Sequence, residues 1–229
     1  MKIVALVPVL GRPQNAGPVA HSLRVASPSV RLVFICSPAD EEQIAACRET
    51  RADVLIADWE PGRADFAKKI ALGYRKTHEE WIFQGADDIS FSKGWEAAVL
   101  RCHDETGALV IGTYDDGNPA VKRGNHSTHT LISRAYCDNP GASFDGPSTV
   151  FSDAYDHQCT DNELICLARI RGVWAFCREA LVTHHHPLWP GGFPMDATYE
   201  KALAKGREDI RLFGARHRDW HRKNLVGAR

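Results

Sequence analysis

Two adjacent carboxylates, Asp87 and Asp88, close the apolar run in EEWIFQGADDISFSKGW (79–95). Neighbouring acids repel each other and lose hydration, so a strand end carries them at a cost unless a cation, a donor or water balances them. A hard divalent ion, Mn2+ or Mg2+, is one such balance, because it takes carboxylate oxygens and leaves further coordination to phosphate and water. The alternative is a carboxylate that caps the helix signalled by SKGWEAAVLRC, or a solvated acidic turn. Three consecutive histidines stand in VTHHHPLWPGGF (182–193). In an extended segment His184 and His186 face one side and His185 the other, so at most two act together. Imidazole is a common metal ligand, and either His184 or His186 could complete a shell begun at Asp88, unless the three form an ordinary polar loop. A third group, DAYDHQCTDNEL (153–164), holds Asp153, Asp156, Asp161, Glu163 and His157. Asp161 stands where a helix begins: it caps that helix, or it projects into a cleft as a general base, with Glu163 as the second choice.

The elements that must position these groups alternate. KIVALVPVL (2–10), VRLVFICS (30–37) and DVLIAD (53–58) are short apolar runs of the kind that strands buried on both faces show. GRPQN after the first is a turn cluster, and PADEEQIAACRET after the second opens with the Pro and acids of a helix start. Phe66, Ile70 and Tyr74 recur every four residues as a helical stripe ahead of the strand EEWIFQ. Such alternation implies an α/β fold with a mostly parallel central sheet and helices on both faces. Ligands of such sheets bind outside the carboxyl ends of the strands, which draws attention to Pro8, Val9 and Arg12, to Cys36 and Ser37, to Asp58, and to Asp87 with Asp88.

The second half is less regular. GALVIGTYDDGN (107–118) reads as strand then loop, THTLISRAY (128–136) as strand into helix, and TDNELICLARIRG (160–172) as a helix with Leu164, Leu167 and Ala168 on one side. VWAFC and ALVTHHHP read as late extended segments. Between the helices lies a Gly/Pro/Ser/Asp-rich loop, 138–159, long enough to be functional or mobile.

With 229 residues, 44% of them hydrophobic, the chain has material for one compact domain. No apolar stretch approaches the roughly 20 residues of a membrane helix, and MKIVALVPVLGRPQ meets Pro and Arg too early for a signal peptide. Seven scattered cysteines without a CxxC pair argue against a disulfide framework and against a thiolate zinc site, so a reducing cytoplasm is expected. Neither GxxxxGK[ST] nor GxGxxG occurs, which removes the glycine cradles for phosphate. The net charge of −1 is uneven: residues 201–229 hold nine Lys/Arg against three Asp/Glu, a balance of +6 that leaves −7 for residues 1–200. Such a tail either meets a polyanionic partner or is a solvated helix whose Arg stems cover apolar surface.

Taken in order, VALVPVLGRPQN, RADFAKKIALGYRKTHEEWIFQGADDISFSKGW, TDNELICLAR and VTHHHP resemble GT-A type glycosyltransferases of the family-two kind, over about residues 3–190. The chain also looks similar to small glycosyltransferase-like proteins of bacteriophages and their hosts. The resemblance implies a Rossmann-like GT-A fold with an irregular acceptor-side second half. Its divisions would be a nucleotide-sugar half (1–106), an acceptor half (107–195) and a basic helical tail (196–229) within one domain. It implies a nucleotide diphosphate sugar as donor, contacted by Pro8, Val9, Arg12, Ser37, Asp58, Lys69 and Asp87, and Mn2+ or Mg2+ on Asp88 with help from Asp87 and from His184 or His186. Asp161 or Glu163 would be the base of an inverting transfer. The acceptor stays open between a modified DNA base, a protein and a glycan, and the location would be the cytoplasm, that of the host if phage-encoded. Ala86 replaces the first acid of the DxD motif, Ala71 stands where many relatives carry Asn, and Thr160 replaces the acid before the base. The same acids and histidines would also serve a metal-dependent phosphohydrolase or nucleotidyltransferase, or a non-catalytic relative that binds nucleic acid or protein.

Overall fold

The structure is a computed structural model that describes residues 1–224; the last five residues of the basic tail lie outside the described residues. The first apolar run forms β1 (Ile3–Pro8), buried at every position. There follow α1 (Pro13–Ala26), β2 (Arg31–Cys36), α2 (Glu41–Glu49), β3 (Asp53–Ile56), α3 (Asp65–Lys76), β4 (Trp81–Gln84), β5 (Ile89–Phe91) and α4 (Trp95–Thr106). The second half adds β6 (Val110–Tyr114), α5 (Pro119–Lys122), β7 (Thr130–Ser133), α6 (Arg134–Asp138), α7 (Thr160–Ile170), β8 (Trp174–His184), α8 (Ala197–Ala204) and α9 (Gly206–Asn224). Where the sequence reads as a turn after β1, the chain instead enters the helix α1 almost at once. Pro13 suits its first position, where no N–H is needed, and Pro18 lies within it.

The strands form one eight-stranded sheet in the order β3-β2-β1-β4-β7-β6-β8-β5. Parallel pairing joins β3, β2, β1 and β4, as the alternation predicts. β7 runs antiparallel to both β4 and β6, and β8 runs parallel to β6. Two reversals restore direction, so the carboxyl ends of β1, β4, β6 and β8 share one edge of the sheet.

Alternate residues of β1 divide the core between two faces. Ala5 and Val7 join Val19 and Leu23 of α1, Ile44 of α2 and Trp95 of α4. Val4 and Leu6 join Ile70 and Tyr74 of α3 and Leu164 of α7. Gly73 lets α3 lie close on the sheet: a Cβ there would stand 2.8 Å from the Leu6 side chain and 2.9 Å from Ile35.

The two late extended segments are one strand. Opposite β6 the register of β8 jumps from Thr113↔Cys177 to Tyr114↔Leu181, a bulge that holds exposed Arg178 and Glu179. Past the bulge β8 pairs with β5, and Ile89 faces His184.

Over its described residues, to 224, the basic tail is docked rather than free. Asp209, buried in α9, accepts from the backbone N–H groups of Asp156, His157 and Gln158 at 2.7–2.9 Å. Phe144 stacks on Phe213 and Trp220, which fixes α9 to the 138–159 loop. Arg207, Arg211, Arg218 and Arg222 remain exposed. All seven cysteines are free thiols.

Candidate active site

Four connections leave the shared sheet edge, and between them they deliver five polar groups. The turn from β1 to α1 brings Arg12, the turn after β4 brings Asp87 and Asp88, the end of β6 brings Asp115, and the end of β8 brings His184; all five are nearly buried. His184 Nε2 lies 3.2 Å from Asp88 Oδ2, and the backbone N–H of His185 donates to the Asp88 carbonyl at 2.8 Å. The strand β5 makes this meeting possible, because its pairing with β8 draws the histidine against the acid just before it in sequence.

Arg12 sits among carboxylates. Its Nη1 donates to Asp87 Oδ1 at 3.1 Å and stands 3.9 Å from Asp88 Oδ2, while Nε and Nη2 grip both oxygens of Asp196 at 2.8 and 2.9 Å. Its guanidinium also lies 4.2 Å from the centre of the Tyr199 ring. The Tyr199 hydroxyl donates to Asp88 Oδ2, and its ring packs on His186 at 4.7 Å. Thus the segment 187–196 and the first turn of α8 lie over the acids. Gly192 permits the turn in that segment, because a Cβ would fall 2.0 Å from the His186 carbonyl oxygen.

Charge is distributed unequally within the acid pair. Burial and the neighbouring Asp88 push the Asp87 carboxyl up, with Arg12 offsetting part of the rise. Burial also works against charge on Asp88, but His184, with His129 and Arg12, holds that carboxyl below the usual range. The same pairing keeps His184 raised despite its burial. Burial and the charge of His184 lower His186 to about 4, and burial takes His129 to about 3.

The two candidate bases differ in surroundings. Asp161, at the start of α7, keeps 23% of its side chain exposed and pairs with His126 Nε2 at 3.1 Å. Burial would raise its carboxyl, yet the imidazole of His126 outweighs that and holds it low. Glu163 faces inward at 1% exposure: it accepts from the Phe144 N–H at 2.8 Å, from the Tyr155 hydroxyl, and from Arg216 Nε and Nη2 at 2.9 and 3.1 Å. With every lone pair engaged, Glu163 anchors α9, and its expected role as a reserve base is corrected on that ground.

Lys69 is corrected likewise. Its ammonium, 1% exposed, meets the Val9 carbonyl and Ser37 Oγ at 2.8 Å each and Asp65 Oδ2 at 2.7 Å, so no donor is left for a nucleotide. It ties β1, β2 and α3 together and occupies the Ser37 hydroxyl. Pro8 and Val9 are buried at the end of β1, and Asp58 is exposed beyond β3. The structure therefore brings together Arg12, Asp87, Asp88, His184 and His186. It adds Asp115, Asp196 and Tyr199, which the sequence reading missed. Asp115 carries the same signal that marks Asp87, an acid directly after an apolar strand.

Among the described residues, no group of three or more His, Cys, Asp and Glu side chains forms a ready ligand sphere. Asp88 Oδ1 and His184 Nδ1 are nevertheless buried without hydrogen-bond partners. A carboxylate and an imidazole with unused atoms fit a cation that takes most of its coordination from substrate and water. No described helix is long and apolar enough to cross a membrane.

No protein-family model matches the chain, and no curated protein matches it in sequence. Solved structures do resemble it. The mannosyltransferase PcManGT from Pyrobaculum calidifontis, in complex with GDP-Man and Mn2+, superposes with a TM-score of 0.63 at 10% identity, over 80% of this chain and 56% of that one. TarS 1–349 of S. aureus gives 0.65 at 12% identity, over 100% of this chain and 75% of that one. Glucosyl-3-phosphoglycerate synthase from Mycobacterium tuberculosis, with Mn2+, UDP and phosphoglyceric acid, gives 0.64 at 13% identity, over 94% and 78%. At such identities the likeness shows the fold: the chain has the GT-A architecture expected from its sequence.

Proposed function

We propose that the chain is a metal-dependent glycosyltransferase that moves a sugar from a nucleotide diphosphate sugar to an acceptor hydroxyl with inversion. The observation that carries the reading is the meeting of Asp88, His184 and Arg12 on one sheet edge, with Asp88 Oδ1 and His184 Nδ1 buried and unpartnered. The mannosyltransferase with GDP-Man and Mn2+ and the synthase with UDP and Mn2+ share this fold, which supports the assignment.

Asp88 and His184 would hold Mn2+ or Mg2+, with His186 and Asp87 beside them. A metal there supplies positive charge to the departing diphosphate. Arg12 adds a second positive group on the same side, already oriented by Asp87. Asp161 accepts the proton of the attacking hydroxyl; His126 keeps its carboxyl ionised and turned, and its partial exposure leaves a path for the acceptor. Inversion follows from a single displacement in which base and leaving group lie on opposite sides of the anomeric carbon.

Thermal-shift measurements with UDP, GDP, TDP and CDP, each with and without Mn2+, test the proposal. A ligand at about 100 times its Kd stabilises the folded state by about 2.7 kcal/mol. A Mn2+-dependent shift with one nucleotide, lost in Asp88→Asn, is expected. Asp161→Asn should keep that shift and lose transfer. No shift with any of the four nucleotides, or full transfer by either variant, would overturn the reading.

A further inference from the structure

Asp115 and Trp189 are left unexplained by the fold and by the metal chemistry. Asp115 is 2% exposed; its Oδ1 accepts from the Gly117 N–H at 2.9 Å and from the His184 N–H at 3.4 Å. Its Oδ2 is buried without a partner, and so is the indole Nε1 of Trp189. Both side chains border Gly117, where a Cβ would lie 3.3 Å from Asp115 Oδ1, 3.3 Å from Trp189 Cβ and 3.4 Å from Trp189 Cδ1. An unused acceptor and an unused donor therefore flank one glycine, directly beside His184.

We propose that Asp115 and Trp189 form the subsite that reads the hydroxyls of the donor sugar ring, an inference that rests on the transferase reading. The chemistry selects a sugar over the other parts of such a donor. A carboxylate oxygen repels a diphosphate but accepts from a hydroxyl, while an indole N–H donates to a hydroxyl oxygen and has nothing to offer a cation. The indole face can also cover the C–H surface of a pyranose. Buried polar groups without partners destabilise a fold, and hydroxyls that fill both remove that cost only when the right ring is present. Trp189 belongs to the segment 187–196 that lies over the acids, which places the subsite beneath that segment.

Isothermal titration in Mn2+ with UDP, GDP, UDP-glucose, UDP-N-acetylglucosamine and GDP-mannose tests the subsite. Asp115→Asn places an N–H donor where Oδ2 accepts, and Trp189→Phe keeps a ring while deleting the N–H. Each variant should weaken binding of the preferred nucleotide sugar by about tenfold, and that of its nucleoside diphosphate by less than about twofold. Equal weakening of both ligands would mark a structural role and overturn the subsite, as would no change in either. Should the wild type bind no nucleoside diphosphate at all, the transferase reading falls and the subsite with it; normal nucleotide binding without discrimination by the variants removes the subsite alone. Trp189→Phe keeps the question open to measurement if Asp115→Asn does not fold.

Discussion

Replacing Arg216 by Met should destabilise the protein by about 3 kcal/mol without touching the acids at the sheet edge. The figure follows from the surroundings of Glu163. That carboxylate is 1% exposed and takes two charge-assisted bonds from Arg216, at 2.9 and 3.1 Å, besides those from Phe144 and Tyr155. Removing the cation from a buried pair costs about 3–5 kcal/mol. The two neutral donors that remain, and the partial exposure of Arg216, place this case at the lower end. Methionine preserves much of the aliphatic stem, so lost packing contributes little. For a chain of this length each kcal/mol moves Tm by about 2–4 °C, giving a fall of about 6–12 °C. Calorimetry reads the shift, and a double-mutant cycle with Glu163→Gln isolates the pairing, which should couple by about 2 kcal/mol. A Tm within about 2 °C of the wild type, or coupling below about 0.5 kcal/mol, would refute the anchoring role.

Two further outcomes follow from the same geometry. His126 titrates above its ordinary value and Asp161 below its own, so the contribution of His126 is present below about pH 6.5 and lost as pH rises through its folded value, and that of Asp161 is present above about pH 4 and lost as pH falls. His126→Gln should therefore lower Tm most between those limits and least at alkaline pH, and a deficit independent of pH would contradict the pairing. Asp196→Ala should raise the affinity for UDP with Mn2+ by about threefold to tenfold, because it frees the guanidinium fork of Arg12 from a bidentate carboxylate; titration showing weaker binding would mean that the covering segment aids the nucleotide.

What the sequence disclosed depended on how local its causes were. β1, β2 and β4 were legible because strands buried on both faces are continuous apolar runs, and α3 because Phe66, Ile70 and Tyr74 keep helical spacing. α1 was hidden by Pro13, Gly17 and Pro18, residues that usually mark turns. β8 looked like two segments because Arg178 and Glu179 in its bulge interrupt the apolar pattern. In the site, Asp88 and His184 stood out by residue type. Lys69 and Glu163 misled because charged side chains are rarely buried, and their inward partners lie far along the chain. Asp196 and Tyr199 gave no local signal, since their meaning comes from Arg12 and Asp88, 184 and 111 residues away.

Those separations also set when the site comes into being during synthesis. Arg12 and Asp88 leave the ribosome early, but Asp88 waits 96 residues for His184, and Arg12 waits 184 for Asp196. Until then the paired acids have neither their imidazole nor the covering segment, and the strand that carries the imidazole has yet to pair with β5. Long-range closures of this kind are slow steps. Assembly of the acid cluster is thus a late event of biogenesis, and a chain cut short before residue 184 would carry β1 to β4 with no complete cluster at their carboxyl ends.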